Sequence, residues 1–254
     1  MPSLPSSASR LAPWLSPLRR VLLLGFVVLI SLQAAWLARI ALLAWVDPAS
    51  TALQRSQAWQ LALKAGQPLP PRWHQPWVAL DRIAPSLPRA VIASEDGQFA
   101  RHQGVDWRSL EAAWRRHQAP PETTPTGGGG TARVIGGSTL TQQLAKNLFL
   151  SGERTLWRKG QELVLALALD AMLDKPRLLE IYLNHVEWGE GIFGAEAAAR
   201  RYFHRTAQAL DAHQSARLAV MLPAPRRFEK QPDSAYLRQR TQVILGRMAA
   251  VQVP

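Results

Sequence analysis

The chain contains no cysteine, which excludes disulfides and thiol catalysis but leaves the compartment open. It is also short of acid. Asp and Glu number 18 against 30 Lys and Arg, a formal net charge of +12, and no acidic residue precedes Asp47. Four arginines do (Arg10, Arg19, Arg20 and Arg39), so the remainder keeps +8 of that excess. A basic domain of this kind faces anionic headgroups or an anionic substrate. Runs of alternating apolar and polar residues are lacking too, which excludes a β-sandwich or barrel and points to a mainly α fold.

One long uncharged, almost wholly apolar run occupies residues 21–38, VLLLGFVVLISLQAAWLA. As a helix this run rises about 27 Å, close to the hydrocarbon thickness of a bilayer. A cleavable signal peptide would have a shorter apolar core and a better cleavage site than Ala34-Ala35-Trp36. A buried core helix would show a polar face. The run therefore reads as a spanning helix. Arg19 and Arg20 before it put the N-terminus in the cytoplasm, and Trp36 and Trp45 suit the far interface. This gives a cytoplasmic tail at 1–20, a transmembrane helix at 21–45, a membrane-proximal connection at 46–80 and a catalytic domain at 81–254. A membrane span makes nucleic acid an unlikely partner for so basic a chain.

The stretch from Asp47 to Pro88 is punctuated by seven prolines, with one short helix expected at 53–64. Trp59, Trp73 and Trp77 read as packing or interfacial residues. Helices are expected from 87, with Pro88 in the first turn, and over 105–117, where Trp107, Leu110 and Trp114 share a face. Residues 118–137, with Gly127 to Gly130 consecutive, cannot supply a core and read as a mobile loop. They lack the order of a phosphate-binding P-loop. Beyond it the pattern is helical. Thr139-x-x-Gln142 resembles a capping box opening a helix through Phe149, and Asp211-x-x-Gln214 resembles another. Residues 160–174 are apolar nearly all round, which predicts a buried central helix. Further helices are expected over 176–184, 194–203 and 236–251.

Three groups carry chemistry. Glu95 ends the apolar stretch Ala90-Val91-Ile92-Ala93, where partial burial would give a carboxylate the raised pKa a general base needs. A solvated helix-end glutamate is the plain alternative. Glu162 follows Arg158 and Lys159 at the start of the apolar helix, where the helix dipole alone would account for it. Between them, Gln142 and Lys146 share one helix face, and Gln143 and Asn147 the neighbouring one. With Arg154, Arg158 and Lys159 nearby, amides and cations suit a diphosphate. His102, seven residues after Glu95, matches no standard metal spacing.

Five ordered motifs together resemble the peptidoglycan glycosyltransferases (glycosyltransferase family 51), and within them the monofunctional biosynthetic transglycosylases. They are Glu95-Asp96-x-x-Phe99-x-x-His102-x-Gly104; Gly137-Ser138-Thr139-x-Thr141-Gln142-Gln143-x-x-Lys146-Asn147; Arg158-Lys159-x-x-Glu162; Lys175-x-x-Leu178-Leu179-Glu180-x-Tyr182-Leu183-Asn184; and Gly194-x-x-x-Ala198-Ala199-x-x-Tyr202-Phe203. The resemblance runs from about residue 81 to 251. It implies a lysozyme-like, two-lobed α-helical domain at the membrane that polymerises lipid II into glycan strands, with inversion at the anomeric carbon and release of undecaprenyl diphosphate. It implies Glu95 as general base on the acceptor 4-hydroxyl and Glu162 as the second catalytic glutamate, on the donor side. Lys146, Arg154, Arg158 and Lys159 would hold the diphosphate, and Gln142 and Gln143 would position substrate. Ser138 and Thr139 would shape the loop and cap the helix, and Glu180, Tyr182 and Asn184 would be structural.

No cofactor is implied as required. A divalent cation (Mg or Mn) assists the diphosphate in some members of that family. The implied partners are lipid II, the growing strand and the bacterial inner membrane, with the catalytic domain periplasmic. The loop at 120–136 is longer and richer in glycine than is usual there, and whether Arg115 or Arg116 meets phosphate stays open. No Ser-x-x-Lys follows the five motifs, so a separate transpeptidase or division and elongation proteins would cross-link the product. Two rivals remain: a lytic glycosidase on the same architecture, against which the cationic motifs argue, and a non-enzymatic tethered scaffold, against which the two glutamates argue.

Overall fold

A computed structural model describes residues 12–65, 75–118, 138–150 and 155–254. The expected loop at 118–137 lies outside these but for Gln118, as do Trp73 and Arg154. The chain divides into two compact units, Met1–Trp45 and Val46–Pro254.

The first unit is one helix, α1 (Ala12–Leu42), longer at its start than the apolar run because Arg19 and Arg20 are themselves helical. Its stretch Pro17–Leu42 is long and apolar enough to cross a membrane, and residues 18–35 within it are exposed.

Among its described residues the second unit is mainly helical, with one short hairpin and an isolated bridge between Gln103 and Val105. Its helices are α2 (Ala52–Ala65), α3 (Ser86–Glu95), α4 (Trp107–Gln118), α5 (Leu140–Phe149), α6 (Leu156–Met172), α7 (Lys175–His185), α8 (Ala195–Phe203), α9 (Ala212–Met221), α10 (Pro225–Lys230) and α11 (Ala235–Met248). They form two groups. In one, α3 packs against α9, and α11 packs on both; in the other, α5 packs against α6, α7 and α2. α3 contributes Leu87, Val91 and Ile92, all fully buried, each worth about 1.5–3 kcal/mol by area removed from water.

Local signals set most of the boundaries. Both expected capping boxes are present, Thr139 with Gln142 and Asp211 with Gln214. Asp174 caps α7 by accepting the Arg177 N–H. The four alanines of α8 are buried. The last helix stops at Met248, three residues short of the expected end.

Two expectations need correction. α6 begins at Leu156 rather than at residue 160, because Thr155 caps it by accepting the Arg158 N–H. Nor is α6 buried all round. Leu165, Ala166 and Leu169 face inward, whereas Leu156, Trp157, Val164 and Met172 are exposed. A helix apolar on every side has no moment from which to read its inner face. One hairpin was not expected: β1 (Glu187–Gly189) pairs antiparallel with β2 (Ile192–Phe193). It is anchored by Trp188, whose indole N–H donates to the Leu218 carbonyl at 3.0 Å, and by the Tyr202 hydroxyl on the Trp188 carbonyl at 2.7 Å.

α7 also holds the segment entering the domain. Asn184 exchanges hydrogen bonds with the Val78 backbone, at 2.8 Å each way, and Glu180 accepts the Leu80 N–H at 3.1 Å. Trp77 lies edge-on to His185 and under Arg177, so the packing role expected for it holds; Trp59 on α2 is exposed.

Candidate active site

Glu95 is the last residue of α3 and Asp96 its C-cap, so two carboxylates stand at the negative end of the helix dipole. That placement is unfavourable by some tenths of a kcal/mol per charge, so each carboxylate needs partners. Their surroundings differ sharply. Asp96 is buried; its oxygens lie 2.9 and 3.0 Å from His102 Nε2, and Oδ2 accepts the Leu140 N–H at 2.9 Å. Glu95 is half-buried, accepting from Ser94 Oγ at 3.2 Å and from Gln143 Nε2 at 3.1 Å. Asp96 is thus committed to structure, and Glu95 is the carboxylate left partly accessible.

The Asp96–Leu140 bond also sets where α5 begins. Thr139 reinforces it, its hydroxyl donating to the Gly104 carbonyl at 2.6 Å. Gly104 is held at φ +77°, and a Cβ there would lie 2.7 Å from the Ala166 carbonyl oxygen, so only glycine fits. Lys175 completes the corner, with Nζ 2.7 Å from the His102 carbonyl and 4.7 Å over the Phe99 ring.

Along α5 the residues sort by side. Gln142 turns back on the helix start, its Oε1 accepting the Thr139 N–H at 2.9 Å, and it is buried, as is Asn147. Gln143 is partly exposed and Lys146 is exposed. The expected pairing of Gln142 with Lys146 on one open face is therefore not what the helix presents. Capping draws Gln142 inward, and the open pair is Gln143 with Lys146, three apart. Beyond Gln143 stands Tyr182 of α7, whose hydroxyl donates to Gln143 Oε1 at 2.9 Å. Burial pushes the Tyr182 phenol well above its usual range, and the charges of Glu95 and Asp96 add to the shift, so it stays a donor.

Glu162 sits in the second turn of α6 with its side chain 4% exposed. The helix dipole fades within the first turn, so it does not account for this residue. Ion pairing does. Arg158 Nη1 lies 3.2 Å from Oε2, and Lys159 Nζ pairs with Oε1. Lys159 also donates to Ser138 Oγ at 3.0 Å, tying α6 to the segment before α5. Two cations share one carboxylate, so the cluster keeps a net positive charge, with Lys159 half-exposed.

The structure thus joins Glu95, Gln143 and Tyr182 in one chain of hydrogen bonds and Glu162, Arg158, Lys159 and Ser138 in another. Thr139 and Gln142 form the helix start between them. Arg154 falls outside the described residues. Arg115 pairs with Glu111 on the exposed side of α4, and nothing is described of the Arg116 side chain. Among the described residues no three His, Asp or Glu side chains converge as metal ligands. Sequence reasoning placed Tyr182 with the structural residues. Its approach to Gln143 spans 39 positions, and no local spacing signals it.

Comparison with known proteins places the chain in a family. Residues 65–249 match the family model described as transglycosylase. A biosynthetic peptidoglycan transglycosylase of Burkholderia orbicola (strain MC0-3) is 48% identical over 222 residues, 87% of this chain and 85% of the relative. Relatives of the same name from Burkholderia lata and Paraburkholderia xenovorans (strain LB400) are 47% and 46% identical over 242 residues. They cover 94% of this chain and 94% and 95% of their own lengths.

Proposed function

The chain belongs to the transglycosylase family, and from that premise we propose that it polymerises lipid II into the glycan strands of the cell wall. The observation that carries the reading is the division of labour at the site: one half-buried carboxylate with an oriented amide, and a separate cluster with surplus positive charge. Glu95 takes the proton of the acceptor sugar 4-hydroxyl. That oxygen forms a bond to C1 of the donor sugar from the face opposite the leaving group, the C1–O bond to the diphosphate breaks, and undecaprenyl diphosphate departs with inversion. An inverting transfer of this kind needs one base and neutralisation of the leaving group. Lys146 and Lys159 serve the second need, with Arg158 and, beyond the described residues, Arg154. Glu162 holds Arg158 and Lys159 in place on the donor side, Gln143 orients Glu95, and Gln142, Ser138 and Thr139 fix the start of α5.

A divalent cation (Mg or Mn) belongs here only as a counter-ion of the diphosphate. The apolar helix α1 anchors the enzyme in the bacterial inner membrane by a single pass. Its preceding arginines stay on the cytoplasmic side, with the catalytic domain in the periplasm beside a lipid-linked donor. Sharing the membrane plane raises the effective concentration of that donor. Cross-linking falls to a separate transpeptidase acting with division or elongation proteins.

The test is incubation of the full-length protein in detergent with lipid II, with and without divalent metal. Glycan polymer is expected from the wild type and none from Glu95→Gln. Undiminished polymer from Glu95→Gln would remove Glu95 as base. Release of short muropeptides from finished glycan, without use of lipid II, would establish the lytic rival instead.

A further inference from the structure

We infer that Tyr182 is a positioning residue for the catalytic base, its hydroxyl fixing the Gln143 amide so that the NH2 end meets Glu95. The inference rests on the reading of Glu95 as base. A glutamine side chain has a donating and an accepting end, and rotation about its last bond exchanges them. Only the donating end is useful beside a carboxylate; the carbonyl end would face it with like partial charge. Gln143 is partly exposed, so packing alone does not choose between the two. Glu95, which as a carboxylate only accepts, takes the NH2 end, and the far side holds the amide in that setting. There the Tyr182 hydroxyl lies 2.9 Å from Oε1, leaving Nε2 to donate to Glu95 Oε2 at 3.1 Å.

Tyr182 suits the task because it is itself fixed. It is 1% exposed in the last turn of α7, flanked by fully buried Ile181 and Leu183. Burial keeps its phenol protonated, so the proton it donates to Gln143 Oε1 is always present. Ring packing requires no hydroxyl, and phenylalanine would fill the same space. The hydroxyl is what links α7 through α5 to the end of α3, joining the two helix groups at the reacting carboxylate.

A hydrogen bond donated to a carboxylate favours its charged form, so losing the orientation raises the pH at which the base becomes active. Among the described residues, the elements around Glu95 carry these charged and titratable groups. Asp96 is adjacent and bound to His102, and Lys146 follows three residues after Gln143. α9 turns Ser215 and Ala219 toward α3, with His213 exposed and Arg217 drawn to Asp233. α11 buries Leu237, Thr241, Ile244 and Met248, with Arg238 and Arg247 exposed and Arg240 half-buried.

The experiment is the pH profile of kcat/KM for lipid II polymerisation by the full-length protein. The variants are Tyr182→Phe, Gln143→Met and the two combined, with Glu95→Gln alongside. The acid limb should move up by about one pH unit in each single variant, with rate below the limb falling about tenfold. The combined variant should lose no more than Gln143→Met alone, because Tyr182 acts through Gln143. Installing 4-aminophenylalanine at position 182, which keeps a donor at that point, should restore the wild-type limb. If Tyr182→Phe fails to fold, that rescue protein and Gln143→Met still decide the matter. A limb that stays in place in the single variants, or losses that add in the combined one, would overturn the relay while leaving Glu95 as base. A Glu95→Gln enzyme that still polymerises would remove the base reading itself.

Discussion

Replacing Glu162 by glutamine should separate the two carboxylates of the site by stability as well as by rate. Glu162 is 4% exposed and bonded to Arg158, 17% exposed, and to Lys159, 46% exposed. Removing one partner of a fully buried pair costs about 3–5 kcal/mol, because the remaining charge is left without compensation. Solvent screens half of Lys159, and the glutamine amide still accepts one bond, which brings the expected loss to about 2–4 kcal/mol. For a domain of this size each kcal/mol moves the melting midpoint by about 2–4 °C, so a fall of roughly 5–15 °C is expected. Glu95→Gln should behave oppositely. It relieves a charge at the negative end of α3 and should leave the midpoint within about 1 kcal/mol of wild type while stopping polymerisation. Thermal unfolding followed by circular dichroism in detergent, beside the lipid II assay, reads both. A Glu162→Gln protein that melts with the wild type would refute the reasoning, as would a Glu95→Gln protein that melts as low as Glu162→Gln.

Lys146→Ala should reduce polymerisation by about a hundredfold or more, the scale of removing one preorganised donor from a developing charge. Its midpoint should not move, because the side chain is exposed; a comparable drop in stability would relocate the residue to the scaffold. Gly104→Ala should destabilise by at least the 1–2 kcal/mol of a left-handed backbone, and by more through contact with the Ala166 carbonyl; an unchanged urea midpoint would contradict the φ of +77°. His185 is buried chiefly in its neutral form, its pKa lowered by desolvation to about 4 from an ordinary 6.5. The unfolded chain therefore binds more protons between these values. This group's contribution is fully present above pH 6.5 and lost as pH falls toward 4, about 3 kcal/mol in all. Urea titrations at pH 7 and pH 4.5 should show that loss in the wild type and a smaller one in His185→Asn; equal slopes would show that His185 is not the group responsible.

What could be read in advance was what is encoded within one or two helical turns. Thr139 with Gln142, and Asp211 with Gln214, announce their helices because cap and partner are three residues apart. Glu95 could be placed at the end of α3 for the same reason. Three features were not legible. The hairpin at Glu187–Phe193 has strands too short to show a period. The open side of α6 is hidden because Val164 and Leu165 are equally apolar, yet one is 60% exposed and the other 3%. The hydroxyl of Tyr182 finds Gln143 only after α5 and α7 have packed. Glu162 is an intermediate case. Its two cations are visible at i−3 and i−4, but the burial that makes them necessary depends on α6 starting four residues earlier than the pattern suggests.

These features converge on α5. Its start is pinned three ways: Asp96 takes the Leu140 N–H, Thr139 reaches the Gly104 carbonyl, and Ser138 receives Lys159 from the Glu162 cluster. The next turn carries Gln143 toward Glu95 and Lys146 toward solvent. In the proposed scheme Glu95 meets Gln143 of this ten-residue helix, Lys146 lies on it and Lys159 is tied to the residue before its cap, so any shift of the helix disturbs both sides of the site together. The inverting transfer proposed for it would ask for this coupling, since deprotonation of the acceptor is useful only when the leaving diphosphate is held at the same moment. Asp96 and Gly104 touch no reacting atom in this scheme, yet they fix the helix on which both halves of the chemistry are mounted.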